Sequence, residues 1–245
     1  MLEVLYRDEQ LIAVHKPSGL LVHRTVLDRN ETRFAVQLLR DQIGRHVHPA
    51  HRLDRGTSGV LLFALDREVG KRVSAQFEAQ QVDKTYLAIV RGHPPAAGRI
   101  DHPLTRQFDD YEFRSPSGMD EAQAAITDYR RLATVELPYR VDRYASSRYA
   151  LLELKPQTGR RHQLRRHLKH LAHPIIGDAT YGKGRHNRLF QDLFACRRLL
   201  LACVEMGLTH PCTGARLRLS APPAEDFVLA GRALGWTAAL AARPD

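Results

Sequence analysis

No unbroken apolar run in the 245 residues is longer than the six from 199 to 204. A helix that crosses a bilayer needs about 20 apolar residues, so membrane spans are excluded. The chain instead alternates strand-sized runs with amphipathic segments. Strands are expected at 4–6, 11–14, 20–22, 60–65, 85–90, 126–132, 149–154, 199–204 and 217–219. Helices are expected from a cap at Asn30 to Ile43, over 67–81, over 159–171 and over 223–234. In the third of these, Leu164, Leu168 and Leu171 share a core face, and Pro174 ends the helix. No regular β-α-β alternation emerges, which favours an α+β fold built on a largely antiparallel mixed sheet flanked by helices. At this length about 70–75% of the unfolded surface can be buried, so the core needs no disulfide or structural metal.

Charge is unevenly placed. The formal net charge is +10, and residues 155–188 carry +8 of it, with nine Lys and Arg against Asp178 alone. Within it Arg161, Arg165 and Lys169 recur at helical spacing as a basic stripe. Such a run is either a solvated helix face or a surface for phosphates, whose contacts release counterions. Aromatic residues are scarce there, with only Tyr181 and Phe190 near, which argues against a single-strand stacking groove and for backbone tracking along a structured RNA. Residues 105–123 have the opposite bias, net −3, and contain Ser-Pro-Ser-Gly, so an acidic loop or insertion is expected there.

The densest chemical segment is His51-Arg52-Leu53-Asp54-Arg55-Gly56-Thr57-Ser58-Gly59, in a loop before a strand. Arginines beside Asp54 favour its ionised form, as a nucleophile or base requires. The same residues also suit an Asp that pairs with Arg merely to fix a turn. Lys84-Thr85-Tyr86 opens a strand, and 158–167 forms a turn leading into the basic helix. A competing reading takes His46, His48 and His51 as zinc ligands of a metallo-hydrolase, but Ala50 stands where such motifs place Asp. Cys196, Cys203 and Cys212 are seven and nine residues apart, which is no disulfide framework and suits a reducing cytoplasm. Cys196 adjoins Arg197 and Arg198, yet a buried inert thiol is the simpler expectation, and Trp236 is expected to pack. The first eight residues have neither the basic start nor the apolar stretch of a signal peptide.

Together, and in this order, the segments resemble the RluA-like family of pseudouridine synthases. The resemblance rests on Leu11 to Leu20 with its Lys16-Pro17-Ser18-Gly19 turn, the His51 to Gly59 signature, Lys84-Thr85-Tyr86, Thr158 to Arg165, His173 to Asp178 with Tyr181-Gly182, and Leu208 to Pro211. The stretches 19–24, 41–44 and 129–136 are most similar to the branch of the family that acts on uridine 65 of tRNA, with ribosomal RNA as the alternative substrate. His15 and Gln157 depart from the usual Asn and Lys, and Ala202 stands where relatives carry His. The resemblance implies one catalytic domain over 1–245 without an N-terminal S4 domain, a central RNA-binding cleft, and isomerisation of a flipped-out uridine with no cofactor, metal or obligate protein partner. It implies Asp54 as the essential carboxylate, either attacking the nucleotide or taking a ribose proton. Arg165 would pair with Asp54, and Tyr86 would pack on the base and assist loss of the C5 proton. Arg52, Arg55, Arg160, Arg161, His162, Gln163, Arg166 and Lys169 are the expected RNA contacts, joined by the 183–188 segment. The expected location is the cytoplasm.

Overall fold

The computed structural model describes residues 1–24, 31–107 and 121–241. The strands are β1 (Glu3–Arg7), β2 (Leu11–Lys16), β3 (His48–Pro49), β4 (Ser58–Ala64), β5 (Asp83–Arg91), β6 (Ala97–Asp101), β7 (Leu104–Thr105), β8 (Ala122–Gln123), β9 (Ile126–Leu137), β10 (Ser147–Pro156), β11 (Leu201–Thr209) and β12 (Arg216–Ser220). The helices are α1 (Ala35–Ile43), α2 (Arg67–Glu78), α3 (Gln163–His170), α4 (Gly184–Phe194), α5 (Glu225–Ala233) and α6 (Thr237–Ala241).

The main sheet runs β1-β2-β4-β11-β5-β10-β9-β6, with β12 on β11 and β3 on β4, and every pair is antiparallel except β4 with β11. The largely antiparallel α+β architecture is therefore present. Central strand β4 is buried along its whole length, as a run covered on both faces must be. Successive residues of a strand point to opposite faces, and β5 makes the division visible. Ala88 and Val90 share a core with Leu164 and Leu168 of α3. Leu87 and Ile89 share another with Phe190 of α4, Phe227 of α5 and Trp236.

The chain passes from one face to the other between α3 and α4. Ile176 inserts into the sheet, its amide donating to Ile89 O and its carbonyl accepting from Leu200 N, both at 2.9 Å. Ile175 packs on the α3 side and Ile176 on the α4 side. The 155–188 run is thus carried by elements on both faces of the sheet, α3 on one and α4 on the other.

Other differences have local causes. Residues 20–22 form no strand; Leu21 and Val22 instead accept the amides of Ala35 and Val36, two of the orphan donors at the start of α1. That helix begins five residues after Asn30, which lies outside the described residues. Residues 159–162 form a turn, because His162 adopts a left-handed φ of 54° that a helix cannot contain. Helix α3 ends at His170, before Pro174, and α4 was not anticipated from the sequence. Most of the acidic 105–123 segment lies outside the described residues.

Candidate active site

Asp54 sits in the loop between β3 and β4, whose turn closes with Thr57 N donating to Asp54 O at 3.0 Å. This loop is clasped by the 16–20 turn. Lys16 Nζ, on a fully buried side chain, donates to Leu20 O at 2.6 Å, Pro17 O at 3.0 Å and Arg55 O at 3.1 Å. Ser18 Oγ donates to Gly56 O, and Gly19 N to Arg55 O. Burial, reinforced by Arg198, draws the Lys16 amine down to about 7, against an opposing pull from Asp54. Gly59, at the start of β4, has φ +110° and lies so close to β11 that a Cβ would meet Cys203 O at 1.9 Å. Only glycine lets the two parallel strands approach there.

Arg165 reaches Asp54 from α3, its Nη1 donating to Asp54 Oδ2 at 3.1 Å. Its other two nitrogens bind Asp178 in a fork, Nε to Oδ2 at 2.7 Å and Nη2 to Oδ1 at 2.9 Å. Asp178 has no exposed side-chain surface, and its Oδ1 also accepts the amides of Thr180 and Tyr181. Burial opposes the charge on Asp178, but the Arg165 fork and these amides hold its carboxyl below the usual range. Burial likewise works against Arg165, and its bonds to Asp178 and Asp54 more than offset it. Arg165 therefore faces inward and pairs with Asp54, as the resemblance implied. Its guanidinium lies 5.0 Å above the Tyr181 ring, and Lys169 approaches the same ring at 5.7 Å. His162 Nδ1 is 3.1 Å from the Tyr181 hydroxyl, and its Nε2 is 3.9 Å from Asp54 Oδ1. Burial lowers the His162 pKa despite Asp54.

A cleft of about 800 Å³ opens over Asp54, its lining including Tyr86 and Arg165 with Arg52, Arg55, Arg160, Arg161 and His162. Burial, with Cys203 next, pushes the Tyr86 phenol well above its ordinary pKa, so it stays protonated. Arg166 and Lys169 do not line the cleft; Arg166 Nη1 donates to Thr105 O at 2.9 Å. Gln163 also lines the cleft, with its amide engaged within the protein. Its Oε1 accepts from Thr158 Oγ1 and Arg160 N, and its Nε2 donates to Ile126 O and Thr127 Oγ1. That fills the full capacity of an amide, making Gln163 a brace for the turn before α3. Lys84 and Phe77 line the cleft as well.

The zinc reading finds no support. His51 Nε2 accepts the Leu62 amide at 3.1 Å, its ring stacks on Phe77, and burial together with Lys84 lowers its pKa to about 3. Among the described residues no group of three or more His, Cys, Asp or Glu is placed to hold a metal. Cys196 is buried, and burial raises its thiol pKa. Trp236 packs as expected, its indole donating to Thr134 O at 3.3 Å.

Asp178 and Lys16 are the supporting residues that motif reading left without a role. The one signal for Asp178 was its isolation, a single acid among nine cations, since a buried arginine requires a partner. Lys16 gave none, because the closure of its turn onto the Arg55 carbonyl brings together residues 39 apart.

The family model for RNA pseudouridylate synthase matches residues 10–170, a span that holds Asp54, Tyr86 and Arg165. The chain is 53% identical over 213 residues to the tRNA pseudouridine synthase C of Vibrio vulnificus (strain CMCP6), covering 87% of each chain. It is 49% identical over 237 residues to the protein of that name from Haemophilus ducreyi (strain 35000HP / ATCC 700724), covering 96% of each. Among solved structures, human RNA pseudouridylate synthase domain containing 4 superposes with a TM-score of 0.70 at 29% identity, covering 95% of this chain and 93% of that one. With the family's model spanning most of the chain and relatives near half identity over nearly all of it, this protein belongs to the RNA pseudouridylate synthases, isomerases of uridine in RNA.

Proposed function

We propose that the chain converts one uridine of tRNA, uridine 65, to pseudouridine, with Asp54 as the reacting carboxylate. The N1–C1′ bond breaks, the uracil turns, and a C5–C1′ bond forms. C5 loses its proton and N1 gains one, so electrons and atoms balance within the nucleotide. A base stacked in a helix cannot undergo this rotation, and flipping it out costs a few kcal/mol. The cleft of about 800 Å³ falls within the ~300–1,000 Å³ of sites that enclose small ligands. Proximity of the held base to Asp54 then replaces a costly encounter.

The observation that carries this reading is the chain of bonds from Asp54 to Arg165 to buried Asp178. It fixes one oxygen of Asp54 through a charge-assisted bond, as either route, attack at C1′ or proton removal at C2′, requires. Tyr86 supplies a neutral ring and hydroxyl beside the base. Arg52, Arg55, Arg160 and Arg161 at the cleft border suit the phosphates flanking a flipped nucleotide. The tRNA substrate rests on the names of the relatives. Strands from both ends of the chain lie side by side in one sheet, β1-β2 next to β4-β11, which supports a single catalytic domain over 1–245. No helix among the described residues is long and apolar enough to cross a membrane, and we place the protein with its RNA substrate in the cytoplasm.

The test is an assay on unmodified tRNA and ribosomal RNA transcripts with the product position mapped. Wild type is expected to form pseudouridine at tRNA position 65. Asp54→Asn is expected to form none while binding tRNA within about twofold of wild type, since phosphate contacts dominate RNA affinity. Product confined to ribosomal RNA, or an active Asp54→Asn protein, would overturn the proposal.

A further inference from the structure

The tip of the β9–β10 hairpin, residues 138–146, reads Pro-Tyr-Arg-Val-Asp-Arg-Tyr-Ala-Ser. Among the described residues its two tyrosines are two of the few large hydrophobic side chains left open, Tyr139 at 43% and Tyr144 at 54% exposure. Arg143 lies 5.1 Å over the Tyr144 ring and donates to its hydroxyl, and Arg140 extends beside them, exposed. Asp142 forms an ion pair with Arg185 in the first turn of α4, which fixes the tip to that helix. Lys183, Arg185 and Arg188 there are all exposed. The acids nearby are engaged or remote: Asp142 with Arg185, Glu136 with Arg148 and Ser146, and Asp192 two turns along the helix. Helix α4, whose own Phe190 is buried and in contact with Phe194, thus has its exposed cations beside two open tyrosines from the β9–β10 hairpin.

This surface is not the border of the active cleft. Tyr86 pairs with Leu154, whereas the hairpin begins beyond Ser147, seven residues along β10, or about 23 Å at strand rise. Helix α4 also packs on the sheet face opposite α3.

We propose that the Tyr139–Tyr144 hairpin tip and the exposed first turn of α4 form a second RNA contact, which holds a part of the substrate remote from the reacting uridine. The inference rests on the tRNA reading above. Arginines and lysines supply phosphate contacts, and open tyrosines offer stacking faces to unpaired bases, the pairing that sequence-tolerant RNA surfaces use. A folded RNA with two helical arms extends well past the distance between the two sites. A stem-loop of only a few base pairs carrying the target uridine is shorter than that separation.

The experiment measures equilibrium binding and steady-state turnover for full-length tRNA and for a short stem-loop bearing the target uridine. It compares wild type with Tyr139→Ala/Tyr144→Ala and with Arg140→Ala/Arg143→Ala, all exposed positions. Turnover of the stem-loop by wild type tests the tRNA reading by itself. The tyrosine pair is expected to weaken full-length tRNA binding about tenfold with its salt dependence unchanged. The arginine pair is expected to weaken it and to lower the salt slope by about 2. Neither is expected to change kcat or KM on the stem-loop. Unaltered affinity for full-length tRNA in both variants, or equal losses on tRNA and stem-loop, would overturn the second contact.

Discussion

Arg165 grips Asp178 through two parallel bonds of 2.7 and 2.9 Å, and it is the third nitrogen, Nη1, that reaches Asp54 at 3.1 Å. The buried carboxylate fixes the plane of the guanidinium. Asp54 therefore meets a donor already oriented and already compensated for its loss of water. One arginine between two carboxylates leaves Asp178 as anchor and Asp54, half-buried at the cleft, as the group that meets substrate.

Asp178→Asn should impair catalysis more than binding. It removes the charge that compensates a buried guanidinium, a loss of about 3–5 kcal/mol when such a pair is broken, and it frees Arg165 to shift. A displacement of about 1 Å costs on the order of 10²-fold in rate. The expected outcome is a kcat lowered by about that factor with KM changed little, alongside a lower melting temperature. A kcat within twofold of wild type would show that Arg165 holds Asp54 without its anchor.

Lys16 should leave a signature in the pH dependence of stability. Its folded pKa is drawn down to about 7, while a lysine in the unfolded chain titrates near ~10.4. Between these values the unfolded chain binds the extra proton, so this site makes stability rise with pH from about 7 to 10. Urea unfolding at pH 7 and pH 9 should show that rise in wild type and a smaller one in Lys16→Met. Equal pH dependence in the two proteins would contradict a buried, titrating amine. The substitution should also slow turnover, because it unties the carbonyl next to Asp54.

Tyr86 should act as a neutral phenol. With its pKa pushed well above the ordinary value by burial and by Cys203, it contributes no phenolate at working pH, and kcat should show no rising limb as pH approaches 10. Tyr86→Phe should keep tRNA affinity and lower kcat by about 10²-fold, the low end of what a positioned proton-transfer group contributes. The pH–rate profile should keep its shape. A wild-type limb near pH 10 that vanishes in Tyr86→Phe would identify the phenolate as the base.

Much of this molecule was legible in local sequence. The continuous apolar runs of β4 and β5, the Leu164 and Leu168 face of α3, and the loop that carries Asp54 all follow from side chains a few residues apart. The order of short strands and amphipathic helices was enough for an α+β sheet. The motifs around Asp54, Tyr86 and Arg165 identified the family because their chemistry is written in consecutive residues.

What tertiary structure alone decided is which of those residues meet. The left-handed His162 stands just before α3, and Arg165 lies between Asp178 and Asp54, the second of which the resemblance implied as its partner while nothing in the motifs named the first as one. Ile175 and Ile176 thread the sheet and send α4 to its other face, dividing a charge run that is continuous in sequence. Lys16 is held between two carbonyls of its own turn and the Arg55 carbonyl of a loop 39 residues away. Propensity and period act over neighbouring residues, whereas burial of a charge and the partner that compensates it are set by segments far apart in the chain. The sequence by itself therefore determined the chemistry available to this protein, and the fold decided where that chemistry is held.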